Sequence, residues 1–373
     1  MLVMEGLREQ TVFRLYSTPR MEYCVQDRRI EYNCFRGQSP EDLPVWKQTK
    51  RGEHHKSRRF GSTYASSFRT LAAVDDVSTA KNNSVEITKG INGLDKIILR
   101  QIHGSAVELY LYGAHVTSWK NDHGEELLLL SSKAIFSPPT AIRGGIPIIF
   151  PQFSNLGPLR SHGFARNRVW TIDTNPAPFP SKTINGVFVD LLLKPTQDDL
   201  NIWPNSFEFR LRVTLGIKGD LTMTSRIKNT NTDNKPFNFT FAYHNYFRVS
   251  DISEVRVERL KSLDYLDNLQ NRTRFTEEQD AVTFNSEVDR IYLSTPTKIP
   301  ILDNKKKQKI SVHKNGLPDA VVWNPWNKSI VDLGVDDYKS MVAVEASAIG
   351  KPVVLKAGEE WKASQRLSVV TSR

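Results

Sequence analysis

Cysteine is almost missing from this 373-residue sequence: Cys24 and Cys34 are the only two, and both lie in the first tenth of the chain. The remainder can carry neither a disulfide framework nor a thiolate metal site. No apolar run approaches the roughly 20 residues that cross a bilayer, and the first residues lack the basic-then-apolar layout of a secretory signal, so a cytoplasmic protein without membrane contact is expected. There is no Gly-x-x-x-x-Gly-Lys-[Ser/Thr] loop, no Gly-x-Gly-x-x-Gly after a strand, no His-Glu-x-x-His and no Gly-x-Ser-x-Gly. The common nucleotide, zinc and serine-hydrolase chemistries are thereby set aside. His54-His55 has no third ligand at a sensible spacing, so no metal centre is expected. A helical period alternating with strands is also lacking, which argues against a parallel βαβ sheet, and no blade or solenoid repeat is found.

What is present is the composition of an ordinary globular protein with a basic excess. The net charge is +10, but residues 1–72 hold 13 Lys and Arg against 8 Asp and Glu, which is +5 of it. The rest is mildly basic, a balance that suits a small anionic substrate; no nucleic-acid recognition motif accompanies it, and no nucleic-acid partner is expected. Residues 1–83 show no sustained periodicity and contain biased clusters such as Arg51-Gly52-Glu53-His54-His55-Lys56. They are expected to be a disordered extension. A transit peptide is poor in acids, whereas Glu5, Glu9, Glu22, Asp27 and Glu31 are all present, so organellar targeting is the weaker reading.

Residues 84–373 read as one strand after another. Phe207, Phe209, Leu211, Val213 and Leu215 alternate with Glu208, Arg210, Arg212 and Thr214, which gives a strand one apolar and one polar face. Gly219-Asp220 turns the chain into Leu221–Ile227, and Asn231-Thr232-Asp233-Asn234-Lys235-Pro236 precedes an aromatic strand from Phe237 to Phe247. Further strands are expected over Val107–Lys120, Val187–Leu193, Val255–Leu260, Lys298–Leu302, Lys309–Lys314, Ala320–Trp323, Met341–Ala346 and Gln365–Val370. The fold class is therefore all-β, with two large antiparallel sheets packed face to face.

Strand alternation isolates two groups that read either as catalytic or as ordinary residues, a hydrogen-bonded structural histidine and a solvent-facing strand carboxylate. Phe237, Phe239, Phe241 and Tyr243 share one face, leaving Asn238, Thr240, Ala242 and His244 on the other, where an imidazole could move a proton near neutral pH. Val342, Val344 and Ala346 likewise oppose Met341, Ala343, Glu345 and Ser347, so Glu345 stands among small neighbours, where a carboxylate is costly to bury without a partner or a role. Arg143 precedes Gly144-Gly145, and Ser161-His162-Gly163-Phe164-Ala165-Arg166 follows about twenty residues on. Two arginines beside glycine-rich turns suit an anion, because the guanidinium fork matches phosphate or carboxylate.

Taken in order, Ala-Ile-Arg-Gly-Gly-Ile-Pro at 141–147, Phe-Pro-Gln-Phe at 150–153, His-Gly-Phe-Ala-Arg at 162–166, Phe-Ala-Tyr-His-Asn-Tyr-Phe at 241–247 and Val-Glu-Ala at 344–346 resemble the glucose-6-phosphate 1-epimerase family. This is the hexose-6-phosphate mutarotase branch of the aldose 1-epimerases. Val-Asp-Arg-Ile-Tyr at 288–292 and Trp-Asn-Pro-Trp at 323–326 extend the likeness, which spans about residues 86–370. The resemblance implies an antiparallel β-supersandwich of the galactose mutarotase type and interconversion of the α and β anomers of a hexose 6-phosphate. It implies His244 as catalytic acid, Glu345 as catalytic base, Arg143 and Arg166 as a phosphate clasp, and His162 and Asp289 on sugar hydroxyls or the ring. Trp119 matches a motif residue read as structural. The chemistry needs no cofactor, and a monomer is expected. The alternative is a non-catalytic sugar-phosphate binding module on the same fold. Two departures from the family pattern, Asn245 in place of the usual threonine and Ser161 in place of a larger polar residue, point to altered substrate contacts.

Overall fold

The computed structural model describes residues 83–176 and 186–371, together with the backbone of three short strands nearer the start, Val12–Arg14, Glu22–Gln26 and Tyr32–Arg36. Those three strands form an antiparallel sheet in sequence order, inside a compact unit of residues 1–75. The sequence reading found no strand there, since none of the three stretches has a clean two-residue alternation. The rest of the expected extension, His54 and His55 included, lies outside the described residues.

The unit of residues 76–373 is the all-β structure that the alternation indicates. A nine-stranded sheet runs in the order Ala281–Val282, Val255–Glu258, Lys298–Asp303, Gln308–Asn315, Glu360–Thr371, Leu221–Asn229, Phe207–Gly216, Gly186–Leu193, Thr171–Ile172. An eight-stranded sheet runs Thr273–Thr276, Asp264–Asp267, Val288–Tyr292, Asp319–Asn324, Met341–Leu355, Phe237–Tyr243, Ile148–Ile149, with Tyr246–Arg248 also paired to Met341–Leu355. Neighbours in both sheets are antiparallel. A four-stranded meander, Ser84–Lys89, Asp95–Arg100, Ala106–Tyr110 and His115–Lys120, adds a third sheet. Here the single strand expected over 107–120 is broken, because Gly113 and Ala114 take positive φ and turn the chain back on itself. The described residues hold one short α-helix, Gln197–Ile202, started by a Thr196/Asp199 capping box, and no helix long and apolar enough to cross a membrane.

The core lies between the two large sheets. Phe207, Phe209 and Leu211 from one meet Phe237, Phe239, Phe241 and Tyr243 from the other, all buried in one cluster, with Phe209 and Phe241 edge to face at 6.1 Å. Polar ties cross the same gap: the Tyr243 hydroxyl lies 2.6 Å from Ser225 Oγ. Trp119 is structural, as the motif suggested: its indole is buried and its Nε1–H donates to Gly219 O at 2.8 Å.

With Val342, Val344 and Ala346 committed to this core, the alternate residues of the same strand face the other way. Register places Asp289 opposite Trp323, Trp323 opposite Ala343, Ala343 opposite Tyr246, and Val321 opposite Glu345. Residues directly opposite share a face, so one surface of the eight-stranded sheet carries Asp289, Trp323, Glu345 and Tyr246 together. Two small apolar clusters lie on this surface, one around Ile149, Phe153, Ala242, Ile291 and Val321, the other around Leu129, Tyr246, Met341 and Ala343.

Candidate active site

Between those clusters lie the sequence-predicted residues. The strand expected to run from Phe237 to Phe247 ends at Tyr243 and resumes at Tyr246, and the gap is filled by backbone bonds to the arginine loop: His244 N–H to Pro147 O and Tyr246 N–H to Gly145 O. That loop approaches so closely that a side chain at Gly145, with φ +62°, would put its Cβ 2.2 Å from Val116 O. Gly163, with φ +70°, is confined in the same way by Phe150 O at 2.3 Å. His162 beside it also takes a positive φ of 67°, rare for a histidine and held by its own contacts: its N–H donates to Ser154 O and its Nδ1 accepts from Ser154 N–H.

His244 and Glu345 are both buried, with Nδ1 3.2 Å from Oε1 but not aligned as a hydrogen bond. On its other side the His244 ring stacks on Tyr246 at 4.4 Å, and Nε2 lies 3.2 Å from the Tyr246 hydroxyl. Arg143 Nη1 donates to that same hydroxyl at 3.0 Å, while its Nε and Nη2 bind Asp332 at 3.0 and 2.9 Å. The Tyr246 hydroxyl, accepting from Arg143, can donate to Nε2 or accept from it according to the His244 tautomer. Three of the five N–H donors of Arg143 are thus occupied, and two remain.

Arg166 has no carboxylate partner among the described residues. Its Nη2 donates to Ser161 O at 3.0 Å, and its Nε is buried with no hydrogen-bond partner among them. Burial and the neighbouring Arg143 bring its pKa down to about 10, so it is cationic at neutral pH. The His162 ring lies 5.8 Å from that of His244 and is held neutral, its pKa lowered to about 3 by burial and then by Arg166 and Arg143. Asp289 accepts from Asn268 Nδ2 at 2.7 Å, and burial raises its carboxyl to about 6. Glu345 is raised well above the usual carboxylate range, first by burial and next by Asp289. His244 is pushed well below the imidazole range by burial, then by His162, Arg143 and Arg166. Burial thus favours the uncharged partition of the pair, with one transferable proton on Glu345. No group of three or more His, Cys, Asp and Glu side chains suited to a metal ion occurs among the described residues.

All six predicted residues therefore meet at one site. The family model for aldose 1-epimerase matches residues 95–368. The chain belongs to the aldose 1-epimerase family. Among relatives of this family member, a Cenchrus ciliaris protein named as a candidate glucose-6-phosphate 1-epimerase is 59% identical over 290 residues, covering 77% of this chain and 88% of its own length. A Salmonella typhimurium protein of the same designation is 31% identical over 63% of this chain and 77% of its own length. A crystal structure of a candidate mutarotase from Salmonella typhimurium superimposes with a TM-score of 0.66 at 26% identity, covering 77% of this chain and 97% of that one. The fold is also that of galactose 1-epimerase from Lactobacillus acidophilus, with a TM-score of 0.59 at 16% identity.

Sequence reasoning missed Tyr246, Asp332 and Asn268. Tyr246 stands two positions from His244, a spacing that signals a shared face; Asp332 and Asn268 sit outside any strand and carry no such signal. The two departures from the family pattern do not point where the sequence suggested. Asn245 is buried and directed into the inter-sheet core, its Nδ2 donating to Val344 O at 2.9 Å and Gln365 Oε1 at 2.8 Å. The Arg166 contact with Ser161 is to the backbone carbonyl, so it is indifferent to the side chain there.

Proposed function

We propose that the site anomerises a hexose 6-phosphate, D-glucose 6-phosphate in particular, by general acid and base catalysis, with His244 and Glu345 moving the protons. The observation that carries the phosphate preference is Arg166, a buried cation without a counter-carboxylate, beside an Arg143 with two donors unused. A phosphate dianion would gain charge-assisted hydrogen bonds there, worth about 1.5–3 kcal/mol each. His162 and Asp289 would hold ring hydroxyls.

In the reaction Glu345 takes the proton of the C1 hydroxyl while His244 gives one to the ring oxygen. The C1–O5 bond breaks and the C1–O1 bond becomes a carbonyl. Rotation about C1–C2 exposes the other carbonyl face; O5 re-adds, returns its proton to His244, and O1 recovers one from Glu345. No electrons leave the substrate, so neither oxidant nor covalent intermediate is required. The dianion offsets the two arginine charges that depress His244, so the pair's one proton passes from Glu345 to the imidazole, leaving Glu345 as the free base and His244 as the charged acid that the reaction uses.

The reading is checked by two substrates against two variants. Wild type is expected to favour glucose 6-phosphate over glucose, and Arg143→Ala or Arg166→Ala to lower kcat/KM for the phosphate ester by about 10 to 100-fold with little change on glucose. Equal handling of both sugars by wild type would overturn the phosphate assignment. Residues 1–83 are proposed to be dispensable for this chemistry.

A further inference from the structure

A second polar groove lies on the four-stranded meander, on the face turned away from the core. Ile97, Leu99, Val107, Leu109, Val116 and Trp119 are buried beneath the sheet, so the alternate residues Lys96, Glu108, Tyr110, Ser118 and Lys120 face outward. Such a face is ordinarily open to water. Here Leu128, Leu130, Phe136 and Arg248 wall it into a cavity of about 590 Å³.

The charges in this groove do not cancel. Lys96 and Glu108 neutralise each other at 2.8 Å. Glu126 is already committed, accepting from Ser118 Oγ at 2.5 Å and from the N–H groups of Trp119 and Leu128 at 2.9 and 3.1 Å. Lys120 and Arg248 remain with no side-chain partner among the described residues, and Arg248 Nε is buried with its hydrogen unmatched. A buried guanidinium N–H without an acceptor is rare and costly. The two cations flank one segment: Lys120 bridges to Glu126, and Arg248 N–H donates to Leu127 O. Their backbones are thus two strand spacings apart, about 10 Å, a gap that two long side chains can close upon a single anion. Tyr110 and Phe136, packed at 5.0 Å, supply an apolar wall for what the anion is attached to.

We propose that this groove is a second anion site, which takes a small phosphate monoester between Lys120 and Arg248. It is separate from the site of His244 and does not depend on the reaction assigned there. The two share a wall: Leu128 and Leu130 line the groove, while Leu129 between them packs on Tyr246 and donates its N–H to Tyr246 O.

The test follows leucine and isoleucine methyl resonances of the full chain during titration with inorganic phosphate and with glycerol 3-phosphate. It is run in the Arg166→Ala variant, in which anion binding beside His244 is weakened. Saturable shifts of Leu128, Leu130 and Ile91 are expected, weakened at least tenfold in Arg166→Ala/Lys120→Met and abolished when Arg248→Met is added. Lys120 makes no side-chain bond among the described residues, so the Lys120→Met change is expected to keep the protein folded and the comparison holds if Arg248→Met does not. Shifts matched by sodium chloride at equal ionic strength would mean an adventitious ion only and would overturn the proposal. So would shifts confined to Leu129 with Leu128, Leu130 and Ile91 unmoved, or shifts unchanged in the Lys120→Met variant.

Discussion

Asp289 is the site group whose charge changes within the working pH range. Burial lifts its carboxyl to about 6, so it is ionised above that pH and protonated below. If the carboxylate accepts a sugar hydroxyl, kcat/KM falls as pH drops through about 6, because the protonated form loses acceptor capacity. Asp289→Asn is expected to remove that acid limb while lowering kcat/KM at pH 7.5; a pH profile with the same limb in the variant would assign the titration elsewhere. Alternation placed His244 and Glu345 on the small-residue side of strands whose other side is committed to the core, and the family resemblance, not the alternation, gave them their roles. Arg143 and Arg166 were legible only through the glycines beside them. Asp332 was not legible: it reaches Arg143 across 189 positions of sequence, from a loop without period.

At the scale of elements, a buried amide pair ties the break between the strands at 237–243 and 246–248 to the strand at 360–371 of the facing sheet. Asn245 donates to Gln365 Oε1 and Gln365 Nε2 donates back to Asn245 Oδ1, both at 2.8 Å, while the second Asn245 donor takes Val344 O, next to Glu345. Truncating either partner leaves the other's amide unmatched in the core, at a cost of about 1–3 kcal/mol. Gln365→Ala is therefore expected to lower the melting temperature and also kcat, with KM for sugar phosphate little changed, because Gln365 touches the strand pair and not the substrate pocket. A variant with normal kcat and a lowered melting temperature would reduce the pair to a structural role. This pairing could not be read from the sequence: alternation puts Asn245 on the face of Tyr243 and Gln365 on that of Leu367, but nothing in it relates two polar groups 120 positions apart. The long core strands could, apart from two breaks, at Gly113-Ala114 and after Tyr243, where the continuous apolar pattern conceals a turn of the chain; the shorter or more polar strands Ser84–Lys89, Asp95–Arg100, Asp264–Asp267 and Thr273–Thr276, like the three near the start, were not read.

For the whole molecule, buried histidines set the acid side of the stability curve. His115 is fully buried, its Nε2 2.7 Å from Gly144 O, and burial lowers its pKa to about 4; His162, at about 3, acts in the same direction. Unfolded histidine titrates near 6.5, so below that pH the unfolded chain binds protons that the folded chain refuses. Stability is complete above about 6.5 and declines as pH falls toward 4, by up to about 1.4 kcal/mol per pH unit for each such histidine. Denaturant midpoints at pH 7 and pH 5 should show the drop, and His115→Asn should flatten it; an unchanged slope would place the titration in other groups. Deletion of residues 1–80 is expected to leave a single cooperative thermal transition, because the periodic apolar pattern that builds the core begins after it.

The central claim is that His244 and Glu345 carry protons for anomerisation, and exchange NMR of glucose 6-phosphate tests it most directly. Cross-peaks between the α and β C1–H resonances report interconversion without any coupling enzyme. Wild type is expected to raise the exchange rate above the buffer value, and His244→Gln and Glu345→Gln each to lower kcat by about 10²-fold or more. Binding of glucose 6-phosphate should survive in both variants, since the arginines remain. Exchange at the buffer rate with wild type, or at the wild-type rate in both variants, would contradict the account and leave the fold as a sugar-phosphate binding module.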